Sequence, residues 1–117
     1  MIKTRYLFGL PLITLVVNSI EVEAILDTGF NGSLLLPLAK IKELDLPAVG
    51  FTEYILANGE LSEAEIFTAE VVWLTGKRYV LVVGVETDLP LIGMRLLAEA
   101  KTILEPHQGI LTVEPGS

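Results

Sequence analysis

The chain has 117 residues, a formal net charge of −7 and no cysteine, and 51% of its residues are hydrophobic. This length predicts a single domain, residues 1–117, and the negative charge with scattered Lys and Arg argues against a nucleic-acid partner, which would need a basic surface. The absence of cysteine excludes disulfides, thiol catalysis and cysteine-based metal sites, and it fits a reducing compartment, so we expect a cytoplasmic protein.

The N-terminal run YLFGLPLITLVV follows Lys3 and Arg5 and superficially resembles a signal peptide. Gly9 and Pro11 interrupt this run, and no small-residue cleavage pattern follows it. No stretch approaches the roughly 18 apolar residues that a membrane span needs, so we expect no membrane insertion. The high apolar content instead predicts an exposed apolar patch that a partner copy covers.

Most of the chain is typical of short strands rich in Val, Ile, Leu and Thr, separated by turn residues. Residues 12–26 predict a hairpin that turns at Asn18-Ser19, and Pro37 permits a short helical turn after it. Residues 51–74 predict a longer hairpin centred on Asn58-Gly59, a dipeptide typical of two-residue type I′ turns. The fold class predicted from this pattern is all-β.

One convincing helix is predicted, over residues 94–103, where the sequence reads MRLLAEAKTI with apolar residues on one face. A last hairpin follows, with HQG as its turn. His107 is therefore predicted to be a turn residue, which argues against a Ser-His-Asp triad. With one histidine, no cysteine and dispersed carboxylates, no metal site is expected.

The sequence ILDTG at residues 25–29 ends a predicted strand with a carboxylate, Asp27. Taken alone, this tripeptide predicts only a turn, because Asp accepts local backbone hydrogen bonds and Gly adopts positive φ. By composition it should occur by chance in roughly one chain in fifty of this length.

A second motif changes this interpretation. LIG at residues 91–93 leads directly into the predicted helix, 91 − 27 = 64 residues after Asp27, and the Asn58-Gly59 hairpin lies between the two motifs. In this order the motifs DTGFNGSLLLP and PLIGMRLL resemble the retropepsin-like, or retroviral-type, aspartic proteases, in their small bacterial single-domain form. The resemblance covers residues 7–114. It implies an acid-protease β-barrel with one short C-terminal helix, forming one half of a two-fold dimer.

The resemblance also implies a role for each motif residue. Asp27 would be the catalytic carboxylate of an aspartic endopeptidase, paired with Asp27 of a second subunit because each chain has one DTG. The remaining residues would form the active-site loop (Thr28, Gly29, Phe30), support it from beneath (Leu91, Ile92, Gly93) and make the tip of a mobile flap (Ala57, Asn58, Gly59). The implied partners are a second copy and a peptide or protein substrate, with no cofactor and no metal.

Two residues depart from the family pattern. Phe30 stands where the family usually has Ala, Ser or Thr, and it would fill or narrow the space beside the catalytic loop. Arg95 is interpreted as a solvated residue at the helix start, with pairing to a carboxylate near the interface as the alternative. These departures keep open a catalytically silent retropepsin-fold module that dimerises or binds peptides. A small β-barrel binding domain in which DTG is only a turn is a third possibility.

The long hairpin also carries four acidic residues, which are expected to form a solvated face or to favour basic substrates. They are Glu60, Glu63, Glu65 and Glu70. Trp73 is predicted to lie in the core.

Overall fold

A computed structural model of the chain describes residues 2–55 and 58–116. Over these residues the fold is built mainly from strands: β1 (Thr4–Leu7), β2 (Leu10–Val17), β3 (Ile20–Leu26), β4 (Leu34–Pro37), β5 (Ala48–Ile55), β6 (Leu61–Trp73), β7 (Gly76–Val85), β8 (Leu91–Ile92), β9 (Ala100–Glu105) and β10 (Ile110–Pro115). The helical segments are α1 (Leu38–Leu44), α2 (Met94–Leu97) and a 3-10 turn (Pro106–Gln108).

The first eight strands form one sheet in the order β1-β2-β3-β8-β4-β7-β6-β5. An additional pairing of β2 with β6, at Val16↔Val72 and Val17↔Val71, joins the two sides of this sheet. The six strands β2, β3, β8, β4, β7 and β6 therefore close into a barrel, and β1 and β5 lie at its edges. Among the described residues, strands β9 and β10 pair only with each other, as a separate C-terminal hairpin.

The barrel is filled by alternate residues along each strand, whose side chains point inward. The largest fully buried side chains include Trp73, Ile13, Leu15, Leu34 and Leu36. Trp73 is 1% exposed, as predicted, and its indole nitrogen donates a hydrogen bond to the carbonyl oxygen of Leu96 at 3.1 Å. This bond fixes α2 to the barrel core.

The first hairpin turns where the sequence predicts. Asn18 and Ser19 have φ of 47° and 70°, the left-handed values that both central residues of a type I′ turn require. Asn18 also exchanges two hydrogen bonds with the backbone of Glu70: its amide donates to the Glu70 carbonyl at 2.8 Å, and its side-chain oxygen accepts from the Glu70 amide at 2.9 Å. The turn is thereby attached to β6.

The prediction of a helix over residues 94–103 is wrong in its extent. α2 ends at Leu97, and residues from Ala100 onward form β9, paired with β10 from Pro115 to Ile110. Thr102 and Ile103 are β-branched and favour a strand once a partner strand is available. The longer helix of the fold is α1, where the sequence permitted only a short helical turn.

The hairpin predicted around Asn58-Gly59 is present as the antiparallel strands β5 and β6, whose described pairs run from Ala48↔Phe67 to Ile55↔Leu61. The Asn58 side chain accepts a hydrogen bond from the Glu60 amide at 2.9 Å, and Gly59 has a φ of 87°. Ala57, which would flank a two-residue turn, lies outside the described residues, so the type I′ turn stays a prediction.

Across the described parts of the chain, no helix is long and apolar enough to cross a membrane.

Candidate active site

The two sequence motifs lie side by side in the sheet. The short strand β8 lies between β3 and β4: it is parallel to β3, at Ile25↔Leu91, and antiparallel to β4, at Leu34↔Ile92. Ile92 is fully buried, so this contact lies in the core. Residues 64 positions apart (91 − 27 = 64) thus become neighbours at the end of β3.

Asp27 directly follows β3 and is held from two sides. Its amide nitrogen donates to the carbonyl oxygen of Ile92 at 2.9 Å, which extends the β3–β8 pairing by one bond. Its side-chain Oδ1 accepts a hydrogen bond from the Gly29 amide at 2.8 Å, and its carbonyl oxygen accepts one from the Phe30 amide at 3.2 Å. The segment is therefore a tight turn that also presents a carboxylate. Asp27 is half-buried, whereas Thr28 and Gly29 are exposed.

Gly93 connects β8 to α2 in close contact with the loop that follows Asp27. Its amide donates to the Ser33 carbonyl at 3.0 Å, and the next two amides donate to the carbonyls of Phe30 and Gly32 at 2.8 and 3.2 Å. A Cβ added at Gly93 would lie 2.3 Å from the Gly32 carbonyl oxygen. This position requires glycine because two backbone segments approach each other too closely for a side chain.

The Phe30 ring lies across two glycines. A Cβ added at Gly32 would be 2.6 Å from Cζ of Phe30, and one added at Gly93 would be 2.5 Å from Cδ2. The ring therefore covers Gly32 and Gly93, and Phe30 is half-buried. The sequence analysis predicts that Phe30 fills or narrows space beside the loop, but it does not identify Gly32 as a packing surface for the ring. The feature that could have indicated this contact is the spacing: a glycine without a side chain lies two residues after an aromatic residue.

The remaining predicted site residues lie elsewhere. Asn58 and Gly59 are exposed, between the ends of β5 and β6. Arg95 is in α2, beside the DTG loop, and its side chain is exposed. Within residues 2–55 and 58–116, no group of three or more His, Asp or Glu side chains is placed to hold a metal ion.

A cavity of about 670 Å³ lies next to this loop, between α2 and the outer face of the sheet. Arg78 and Glu99 form a two-bond ion pair at its rim. The hydrogen bonds from Arg78 hold the pKa of the Glu99 carboxyl below its usual range, and the same bonds raise the pKa of Arg78. Arg95 also lines the cavity.

No protein-family model matches the sequence, and no curated protein matches it. Solved structures, in contrast, are clearly similar. A retropepsin-like aspartic protease from Rickettsia conorii superimposes with a TM-score of 0.72 at 24% identity, over 97% of this chain and 88% of that one. EIAV protease in complex with the inhibitor HBY-793 gives a TM-score of 0.70 at 19% identity, over 87% of this chain and 100% of that one. Identities this low establish the fold alone. Together with the closed barrel, in which β8 pairs with β3, and the DTG turn at the end of β3, these similarities show that the chain has the all-β retropepsin-like fold predicted from its sequence.

Proposed function

We propose that the protein is an aspartic endopeptidase whose active site is formed by two Asp27 carboxylates, one from each subunit of a homodimer. The observation that carries this proposal is the position of Asp27. The Asp27 amide donates a hydrogen bond to the carbonyl of buried Ile92, and the Asp27 carboxylate accepts one from the Gly29 amide. The solved structures that are similar to this fold include aspartic proteases.

The chemistry explains why two copies are needed. Hydrolysis by an aspartic protease uses two carboxylates that share one proton: one activates a water as general base, while the protonated one polarises the scissile carbonyl. This chain has one DTG, so a second copy would supply the other carboxylate. A two-fold axis beside Asp27 would bring the two acids together, and two-fold dimers are the commonest oligomers.

The surroundings of Asp27 support such an approach. Thr28 and Gly29 are exposed beside it. In the proposed dimer, the Thr28 hydroxyl bonds to the partner's loop, and Gly29 leaves room for backbone and substrate to come close. Leu91, Ile92 and Gly93 act as the rigid support of this loop.

The hairpin of β5 and β6 would serve as the flap, with Ala57, Asn58 and Gly59 at its tip. Three large apolar side chains near its end are strongly exposed: Phe51 at 63%, Ile55 at 72% and Leu61 at 67%. Exposed apolar groups of this size are expected where a surface contacts a partner or substrate. Closure of the flap would exclude water from the reacting peptide. The cysteine-free sequence supports a cytoplasmic location for this activity.

One observation favours a second candidate. Phe30 places an aromatic ring beside the DTG turn, where the resemblance would lead us to expect a small side chain. The alternative function is a catalytically silent module of the same fold that dimerises or binds peptides.

Digestion of a peptide library from about pH 3 to about pH 8, a range that includes the ordinary carboxyl pKa values, tests the proposal. Wild type is expected to cleave peptide bonds, and Asp27→Asn is expected to abolish cleavage while sedimentation shows the same dimer. A statine-like inhibitor, which imitates the tetrahedral intermediate, should bind wild type. Equal cleavage by both proteins, or a monomer at high concentration, would contradict the peptidase; peptide binding without cleavage by wild type would favour the silent module.

A further inference from the structure

The cavity beside the catalytic loop combines an apolar floor with charged groups at its rim. Ile66, Leu81 and Val83 contribute the apolar surface, from the face of β6 and β7 that lies outside the barrel core. Arg95 and the Arg78–Glu99 pair contribute the charges. A volume of about 670 Å³ is sufficient for a large side chain with its neighbouring backbone.

The two arginines of this cavity differ in their partners. Arg78 is neutralised by its two bonds to Glu99. Arg95 takes part in no ion pair with any residue in the ranges 2–55 and 58–116. In a chain with a net charge of −7, the cavity therefore keeps one uncompensated positive charge.

The nearby acidic residues of the hairpin do not change this charge. Thr52 and Ile66 line the cavity, and successive residues of a strand point to opposite faces. Glu53, Glu63 and Glu65 are odd-numbered positions on β5 and β6, so they lie on the other face of this hairpin. Glu70, an even-numbered position of β6, is on the cavity side of the hairpin but does not line the cavity. The other three acidic residues lie on the opposite side of the same strands from the cavity.

The cavity is attached directly to the candidate active site. The Arg95 amide donates to the Gly32 carbonyl at 3.2 Å, and residues 31–33 form part of the cavity wall. Gly32 is 32 − 27 = 5 residues from Asp27 in the same loop. An extended peptide advances by about 3.3 Å per residue, so a substrate crossing Asp27 can place a side chain a few positions away in this cavity.

We infer that Arg95 binds an acidic side chain, Asp or Glu, of the substrate peptide and so determines specificity at one position away from the scissile bond. This inference rests on the proposed function. The planar guanidinium matches a carboxylate with two parallel hydrogen bonds. The methylene groups of a Glu side chain would lie on the apolar floor beside Leu81 and Val83.

Peptide binding to the Asp27→Asn protein tests the inference without cleavage. The probes are fluorescein-labelled decapeptides in which a single Glu is moved along an otherwise neutral sequence, each with a matched Gln peptide, and binding is measured by fluorescence anisotropy. At one position the Glu peptide is expected to bind about three- to tenfold more tightly than its Gln partner, the range for a partly exposed charge-assisted hydrogen bond.

Matched variants separate the Arg95 side chain from overall charge. Arg95→Gln should abolish the preference, and Arg95→Lys should keep part of it because the charge remains without the planar fork. Lys77→Gln removes the same charge from an exposed β7 residue outside the cavity wall, and it should leave the preference intact.

An equal loss of preference in Lys77→Gln, or no preference at any position, would overturn the inference. The proposed function is judged separately. If wild type cleaves peptides but the Asp27→Asn protein shows no preference for Glu peptides, only the role of Arg95 is rejected. If wild type does not cleave peptides but a Glu preference is present and depends on Arg95, the role of Arg95 is supported and the peptidase is rejected.

Discussion

The ring of Phe30 packs directly on Gly93, so that a Cβ added at Gly93 would lie 2.5 Å from Cδ2 of Phe30 and 2.6 Å from the Phe30 carbonyl oxygen. Phe30 belongs to the motif DTGFNGSLLLP and Gly93 to the motif PLIGMRLL, which are far apart in the sequence. Their contact makes the DTG loop and the strand beneath it one packed unit. The geometry of Asp27 therefore depends on how tightly this loop packs on the segment that follows β8.

Replacement of Gly93 by Ala should destabilise the protein strongly. The new methyl group would collide with backbone atoms that cannot rotate away, so we expect a loss of at least about 2 kcal/mol in the free energy of unfolding. Urea unfolding of wild type and Gly93→Ala at the same protomer concentration measures this change in the free energy of unfolding. Gly76→Ala is the control, because nothing lies within 4 Å of a Cβ at Gly76; its effect should stay within about 0.5 kcal/mol. Equal effects of the two substitutions would contradict the packing described here.

Phe30 and Gly32 should show strong energetic coupling. The three atoms nearest to a Cβ at Gly32 would all be ring atoms of Phe30, at 2.6, 2.9 and 3.4 Å. Gly32→Ala should therefore cost about 1–3 kcal/mol in wild type but at least about 1 kcal/mol less in a Phe30→Ala background. A double-mutant cycle measured by chemical unfolding gives this coupling. Additive effects would mean that the ring does not lie on Gly32.

The bond between Trp73 and Leu96 should anchor α2. Trp73→Phe removes the indole donor, leaves the Leu96 carbonyl with only the Glu99 amide as donor, at 3.2 Å, and opens a small cavity, so we expect a loss of about 1–2 kcal/mol. Hydrogen exchange of the amides in Met94–Leu97 should become faster. Tyr79→Phe, at a residue that is 74% exposed, serves as the control with little change. Unchanged exchange in α2 would argue against this anchor.

The ion pair of Arg78 and Glu99 should stabilise the protein only above acidic pH. Because Arg78 lowers the folded-state pKa of Glu99 from its ordinary value of 4.5, the stabilisation is present above that value and is lost as pH falls through the lower folded pKa. Both side chains are about 40% exposed, at 39% and 41%, so solvent screening limits the effect to about 0.5 kcal/mol.

Unfolding of wild type and Glu99→Gln at about pH 7 and about pH 3 measures this effect, since the two values lie on either side of the ordinary Glu pKa. The proteins should differ at the higher pH and converge at the lower one. Glu105→Gln, at a residue without an ion pair in the described parts of the chain, should show no such convergence. A difference that grows toward low pH would contradict the assigned sign.

Local features were predictable where the residue type itself limits the backbone. Asn18-Ser19 adopts the left-handed turn that its neighbours in sequence indicate, and Trp73 is buried. The errors occurred where a tertiary contact overrode a local preference. Residues 94–103 have a helical pattern, yet β10 pairs with the second half of that segment.

By itself, the sequence determined the all-β class, the strand that ends at Asp27 and the order of the two motifs, because these follow from alternation, turn chemistry and spacing along the chain. Only the tertiary structure decided that Leu91 and Ile92 lie between β3 and β4, that Phe30 covers Gly32 and Gly93, and that Arg95 lies at a cavity without an ion pair to any described residue. The physical reason is that these relationships depend on closing long loops and burying apolar surface among distant segments, which no short stretch of sequence encodes.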